Sequence, residues 1–264
     1  MILIGERING MFRDIREAIL RREPESIRYW ARRQDERGAA YLDINAGPAV
    51  EAGDQPAVME WLVKTVQEAV DLPCCLDSTY PEAIEAGLAV HKGKALINST
   101  TADQMRMDIF IPMAIKSGAA LIGLTMNEKG VPKSATERIA LAMEIVVNAD
   151  ANGLLMDDLY IDPLVLPCNV GQEHGPEVLE TLRQIKMLAS PPPKTTMGLS
   201  NISQRCADRH LLNRTFLVMS MAVGLDSAII DLDDDGLLDA VAAANVLLNR
   251  EIYCDSYTRT FRRR

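Results

Sequence analysis

The stretch Pro73-Cys-Cys-Leu-Asp-Ser-Thr79 and its sequel Ala95-Leu-Ile-Asn-Ser-Thr100 decide the architecture. Each is a short apolar run that turns polar at its carboxyl end. Between them lies Pro81-Glu-Ala-Ile-Glu-Ala-Gly-Leu88, with the proline where a first helical turn tolerates it. Strand, helix and strand in this order make a parallel pair, because the helical crossover returns the chain to the same end of the sheet.

The same unit recurs in both directions. Apolar runs fall at residues 2–5, 40–44, 73–77, 95–98, 119–124, 159–162, 195–199 and 226–230, each followed by an amphipathic segment. After Asp54, the positions Met59, Leu62, Val63, Val66 and Val70 form the single stripe of a sheet-covering helix. Thr101-Ala-Asp-Gln104 and Ser134-Ala-Thr-Glu137 read as capping boxes, and Pro176 as a first-turn proline. Eight such units close into a (β/α)₈ TIM barrel, a single α/β domain over residues 1–264. A doubly wound open sheet is the alternative, but no G-x-G-x-x-G and no P-loop follows any strand. Pro191-Pro-Pro193 is a stiff lead-in to the seventh strand, since the pattern continues across it.

Composition narrows the function. The 264 residues are 48% hydrophobic, enough for one sizeable core, and only 5% aromatic, so aliphatic side chains and methionine should fill it. A net charge of −9 argues against nucleic acid held through its phosphates. No apolar run approaches the roughly 20 residues of a membrane span, and the first residues do not read as a targeting segment. Five scattered cysteines favour free thiols in a reducing cytoplasm over disulfides.

The carboxyl ends of barrel strands carry the chemistry, and here they are polar: Gly5-Glu-Arg-Ile-Asn9, Asp43-Ile-Asn45, Leu76-Asp-Ser-Thr79, Ile97-Asn-Ser-Thr100, Thr125-Met-Asn127, Ile161-Asp162 and Leu199-Ser-Asn201. Singly, such residues start turns and cap helices. As a set, carboxylates and carboxamides suit a donor-rich ligand, such as the adjacent N–H groups of a 2-aminopyrimidinone in a reduced pterin. These residues alone do not single that ligand out.

The resemblance becomes specific at the same places. Ile4-Gly-Glu-Arg-Ile-Asn9, Leu76-Asp-Ser-Thr79, Ile97-Asn-Ser-Thr100, Leu159-Tyr-Ile-Asp-Pro163 and Gly198-Leu-Ser-Asn201 resemble the pterin-binding barrel family. Gly123-Leu-Thr-Met-Asn127 and Asn213-Arg-Thr-Phe216 are similar to the methyltetrahydrofolate:corrinoid/iron–sulfur protein methyltransferases within it. The likeness implies that Asp77, Asn98 and Asp162 hold the pterin, that Gly198 and Ser200 form its pocket wall, and that Arg209 stands at the rim. Asn201 is then the catalytic residue, approaching N5, the nitrogen that bears the methyl group. It further implies a homodimer without a metal of its own, methyltetrahydrofolate or tetrahydrofolate as substrate, and a cobamide supplied by a corrinoid (iron–sulfur) protein partner in the acetyl-CoA pathway. Running toward methyltetrahydrofolate, or binding folate without catalysis, are the alternatives. Dihydropteroate synthase fits less well, because Asp43-Ile-Asn-Ala-Gly-Pro-Ala49 replaces that enzyme's glycine-rich loop with Ser and Arg.

Other features are expected to be structural. Cys74 and Cys75, adjacent on a strand, should face opposite sides and stay buried. His91 and His174 should be exposed helix-end residues, with His210 a minor candidate beside Arg209. The run Asp231-Leu-Asp-Asp-Asp235 should cap the following helix. Met11, Met113, Met126 and Met219 read as core fillers, and Arg262-Arg-Arg264 as a frayed tail.

Overall fold

In the computed structural model, which describes residues 1–252, eight parallel strands form one sheet in the order β7-β6-β5-β4-β3-β2-β1-β8. They are β1 (Ile2–Asn9), β2 (Tyr41–Asn45), β3 (Cys74–Asp77), β4 (Leu96–Thr101), β5 (Ala120–Leu124), β6 (Leu159–Asp162), β7 (Lys194–Thr195) and β8 (Ser227–Ile230). The helices alternate with them: α1 (Arg13–Arg21) and α2 (Glu25–Glu36) after β1, then α3 (Gln55–Ala69), α4 (Pro81–Val90), α5 (Gln104–Ser117), α6 (Ala135–Asn152), α7 (His174–Ile185), α8 (Arg209–Ala222) and α9 (Asp235–Leu247). Two helices follow β1 where one was expected.

The barrel closes between β7 and β8 without a regular ladder. Strand seven was expected over residues 195–199; the regular strand ends at Thr195, isolated backbone pairing continues through Gly198, and a 3₁₀ turn begins at Leu199. The seam is held instead by Ile229 N donating to Met197 O at 2.9 Å, Ser227 Oγ donating to Thr195 O at 3.0 Å, and Asp226 N donating to Thr195 Oγ1 at 3.0 Å. Asp226 Oδ2 in turn accepts from Thr195 N at 2.8 Å and pairs with Lys186. Side chains thus supplement a sparse backbone pairing, which continues through Thr196 N donating to Ile161 O at 3.0 Å and a Gly198–Ile229 bridge before the chain turns over the mouth from Leu199.

Strand residues alternate between two apolar layers. Ile4, Cys75, Leu96, Ala120, Ile122 and Tyr160 pack within the barrel, whereas Ile8, Leu42, Cys74, Leu76, Ile97 and Leu121 belong to the larger core beneath the helices. Cys74 and Cys75 face opposite sides, both fully buried, as adjacent strand residues must. The stripe Met59, Leu62, Val63, Val66 and Val70 is buried in that outer core. It shields apolar area worth about 25 cal/mol per Å².

Several local readings are corrected. Ser134 and Glu137 form a reciprocal capping box at α6. Thr101, however, is the last residue of β4, and Asp103 caps α5 by accepting from Met105 N and Arg106 N. His174 is buried against Arg138, and His91 accepts from Cys74 N at 2.9 Å, so neither is merely an exposed helix end. Met11 is 67% exposed and Met219 47% exposed, which removes both from the core. Met126 faces the cavity described below, and only Met113 packs on the core. The expectation for Arg262, Arg263 and Arg264 lies outside the described residues, as does Cys254.

One glycine links fold to site. Gly47 has φ +78°, and a Cβ there would stand 2.7 Å from both Cα and C of Gly10. Its N–H donates to Asn45 Oδ1 at 2.6 Å, fixing a side chain that points to Asp77. Replacing Gly47 with Ala is expected to destabilise the fold by roughly 1–3 kcal/mol through positive-φ strain and the backbone clash. Urea unfolding checks this, and an unchanged midpoint contradicts it.

Candidate functional site

At the carboxyl end of the barrel a cavity of about 840 Å³ opens to solvent. Its wall contains Asp77 from β3, Asn98 from β4, Asp162 from β6, Gly198, Ser200 and Asn201 from the segment after β7, and Arg209 at the start of α8. All seven residues nominated from the sequence meet there. The minor candidate His210 lines it too, and the structure adds Glu6 and Asn9 from β1, Asp43 from β2, and Arg106, Gln204 and Asn213. Glu6, Asn9 and Asp43 stood in the polar strand ends already noted. Position at the end of a strand was the signal that could have nominated them.

Hydrogen bonds preset the floor. Asp77 Oδ2 accepts from Asn45 Nδ2 at 2.7 Å, and Asp43 Oδ1 accepts from Asn98 Nδ2 at 3.1 Å. Each carboxamide is thereby oriented, with its oxygen assigned by the donor role of its nitrogen. Asp162 Oδ1 accepts from Leu164 N at 2.7 Å, which ties it to the loop after β6. Behind it, the fully buried Arg138 donates from Nη2 to His174 Nδ1 at 2.7 Å and from Nε to Pro132 O at 3.0 Å. Because a guanidinium only donates, Nδ1 of His174 is the unprotonated nitrogen.

Burial dominates the electrostatics. Desolvation raises the Asp162 carboxyl to about 7, against the opposing bond from Leu164 and the charge of Arg138. Glu6 is likewise pushed up to about 7 by burial, although Ser200 Oγ donates to both of its oxygens at 3.0 and 2.8 Å. Asp43 and Asp77 form a close pair. Burial lifts both above the ordinary carboxylate range, and the charge of Asp77 raises Asp43 further. Four acids thus face one cavity while resisting ionisation. A ligand presenting N–H donors stabilises their charged forms and fits them best.

The third wall is a single segment. Asn201 N donates to Gly198 O at 3.3 Å, and a Cβ at residue 198 would lie 2.9 Å from Asn201 Nδ2. Glycine at 198 therefore leaves room for the carboxamide of Asn201. Arg209 braces this segment from outside, donating from Nε to Ser203 Oγ at 3.2 Å and from Nη2 to Ser200 O at 3.4 Å. At the rim, the buried Asp234 accepts from Leu237 N, capping α9 as expected, and also pairs with His210 and Arg214. No group of three or more His, Cys, Asp or Glu side chains among the described residues is arranged to hold a metal ion. No helix among them is long and apolar enough to cross a membrane.

Raised carboxyl values carry a definite sign. An acid that binds its proton more tightly when folded favours the fold at low pH, and that contribution is lost as pH rises through the folded-state value. For Asp162 the loss runs from near 4 to about 7, at up to about 1.4 kcal/mol per pH unit. Asp162→Asn keeps an acceptor but cannot ionise. Its stability relative to wild type should therefore rise between pH 4 and 7 in chemical denaturation, whereas a pH-independent difference contradicts the burial argument.

Residues 13–231 match the family described as pterin binding enzyme. The chain is 32% identical, over 268 residues covering 99% of it and 96% of the relative, to the methylcorrinoid:tetrahydrofolate methyltransferase of Eubacterium limosum. It is 31% identical over 87% of its length to the methionine synthase of Mycobacterium tuberculosis (strain ATCC 25618 / H37Rv), where the match spans 20% of that longer protein. Two solved structures share the fold. The dihydropteroate synthase from Coxiella burnetii in complex with pteroic acid has a TM-score of 0.72 at 13% identity, covering 95% of this chain and 94% of that one. The Xanthomonas albilineans enzyme in complex with 7,8-dihydropteroate has a TM-score of 0.69 at 17% identity, covering 94% and 92%. At such identities the likeness concerns architecture alone. The chain belongs to the pterin-binding enzyme family, and within it to the pterin-binding methyltransferases.

Proposed function

We propose that this protein transfers a methyl group between N5 of tetrahydrofolate and the cobalt of a corrinoid carried by a separate protein. The observation that supports it most is the meeting of Asp77, Asn98, Asp162 and Asn201 on one open cavity. A reduced pterin offers adjacent N–H donors on its pyrimidinone edge, and a carboxylate can accept two of them side by side. Asp77, Asn98 and Asp162 would hold that edge, Gly198 and Ser200 would line one face, and Asn201 would reach N5. The cavity opens to solvent, so a methyl group on N5 would be presented outward.

The corrinoid supplies the metal centre that takes or gives the methyl group, so no Ser, Cys or Lys nucleophile is required of this chain. What the chain must supply is help for N5, a poor leaving nitrogen unless its developing charge meets a proton or a hydrogen bond. The Asn201 carboxamide can donate such a bond and strengthen it as charge accumulates. A carboxamide is no acid at neutral pH, but Glu6, near 7, contacts Ser200 next to it. Glu6 would be a group of that wall able to give up a proton near neutral pH.

Transfer from methyltetrahydrofolate to the corrinoid, the direction of the acetyl-CoA pathway, is the reading implied by the family resemblance. The Eubacterium limosum relative, a methylcorrinoid:tetrahydrofolate methyltransferase, favours the reverse. Both directions cross one transition state, so the same residues serve both. The test is methyl exchange followed by cobalamin absorbance, started once from methyltetrahydrofolate with Co(I) cobalamin and once from methylcobalamin with tetrahydrofolate. Absence of transfer from either side defeats the proposal.

Asn201→Ala should lower the transfer rate roughly 10²- to 10³-fold, the scale of one donor acting in the transition state, with a smaller loss of folate affinity. Near-normal turnover would reject that role. Asp77→Ala should chiefly weaken tetrahydrofolate binding in equilibrium dialysis, and unchanged affinity would remove Asp77 from the pterin edge.

A further inference from the structure

Cys168 and Cys206 lie on two separate rim loops, both half-buried, and their free thiols share a hydrogen bond with the Sγ atoms 3.5 Å apart. Cys168 lies beyond β6 in the loop leading to α7. Cys206 closes the turn after the 3₁₀ segment Leu199–Ser203, donating from its N to Ser203 O at 2.9 Å. The loops are already joined where the thiols meet. Cys168 N donates to Ile202 O at 2.9 Å, and Asn169 Nδ2 donates to Arg205 O at 3.5 Å. No third ligating side chain accompanies the pair among the described residues, so a metal clip has no support. The other described cysteines, Cys74 and Cys75, are fully buried and out of reach of oxidants.

We propose that Cys168 and Cys206 are an oxidation site: a disulfide between them re-tensions the segment that carries Ser200, Asn201 and the contacts of Arg209. The oxidant is a hydroperoxide. One thiolate sulfur attacks a peroxide oxygen, the O–O bond breaks, and a sulfenic acid and water result. The second sulfur then attacks the first, the S–S bond forms as S–O breaks, and a second water leaves. Two thiols and one hydrogen peroxide thus give one disulfide and two waters, and a dithiol reverses it. A disulfide spans about 2.05 Å, so the two sulfurs must approach by about 1.5 Å, through side-chain rotation together with a shift of the loops. Ile202 O and Ser203 O accept from Cys168 N and Cys206 N, so a shift of the cysteines acts on the segment directly. A displacement near 1 Å can slow a well-positioned reaction up to about 100-fold.

Formation of the bond is independent of the proposed methyl transfer; its effect on rate rests on that reading. The experiment treats full-length protein, in a Cys254→Ser background, with hydrogen peroxide under native conditions. Peptide mapping, hydrogen exchange of residues 199–209 and methyl transfer are read before and after dithiothreitol. The expected result is one cross-linked Cys168–Cys206 peptide pair, altered exchange in that segment, and transfer lowered roughly 10-fold or more, all reversed by dithiothreitol. Cys168→Ser and Cys206→Ser should keep the reduced rate and resist peroxide. Thiols that stay unlinked overturn the proposal, as does a linked protein with unchanged exchange and rate. If reduced wild type transfers no methyl group, the functional reading fails, and mapping with exchange still judges the thiol pair.

Discussion

Four carboxyl groups around one cavity, Asp43 and Asp162 buried and Glu6 and Asp77 half-buried, are the constraint on which the rest of this structure depends. Charge removed from water is expensive, and Glu6, Asp43, Asp77 and Asp162 respond by holding protons well above the ordinary carboxylate range. Parallel strands make the arrangement affordable. Their side chains enter the mouth from fixed directions, while backbone amides and neighbouring carboxamides supply hydrogen bonds that loops alone would place less rigidly. The cavity is then poised to exchange protons for the donors of a ligand.

The irregular seam between β7 and β8 belongs to the same design. Residues 196–198 keep only single backbone bonds to the neighbouring strands, and the 3₁₀ turn from Leu199 then brings Asn201 to the opening. The side chains of Thr195, Ser227 and Asp226 take up the lost pairing. Closure and site construction are therefore one problem, solved in the same few residues.

Much of this was legible in the sequence, for identifiable reasons. All eight strands announced themselves because strands buried on both faces read as continuous apolar runs, although β1 and β4 run on past those runs, to Asn9 and Thr101. The seventh was misjudged in length, since Thr196, Met197 and Leu199 are buried whether or not they pair. Thr101 looked like a cap by spacing, but β4 extends through it, and tertiary pairing overrides a local motif. His174 was hidden because its partner Arg138 lies 36 positions away on another helix. In the site, the nominated residues meet as required, yet Glu6 and Asp43 escaped nomination. Their importance rests on burial and mutual charge, which spacing does not reveal.

The most direct test of this account is calorimetry of tetrahydrofolate binding near pH 6.5 in buffers of different ionisation enthalpy. Arrival of the pterin N–H donors should favour the charged carboxylates, so binding should release protons, and the apparent enthalpy should vary with the buffer. Binding whose enthalpy is the same in every buffer, or no binding at all, would contradict the claim that these buried acids receive the pterin.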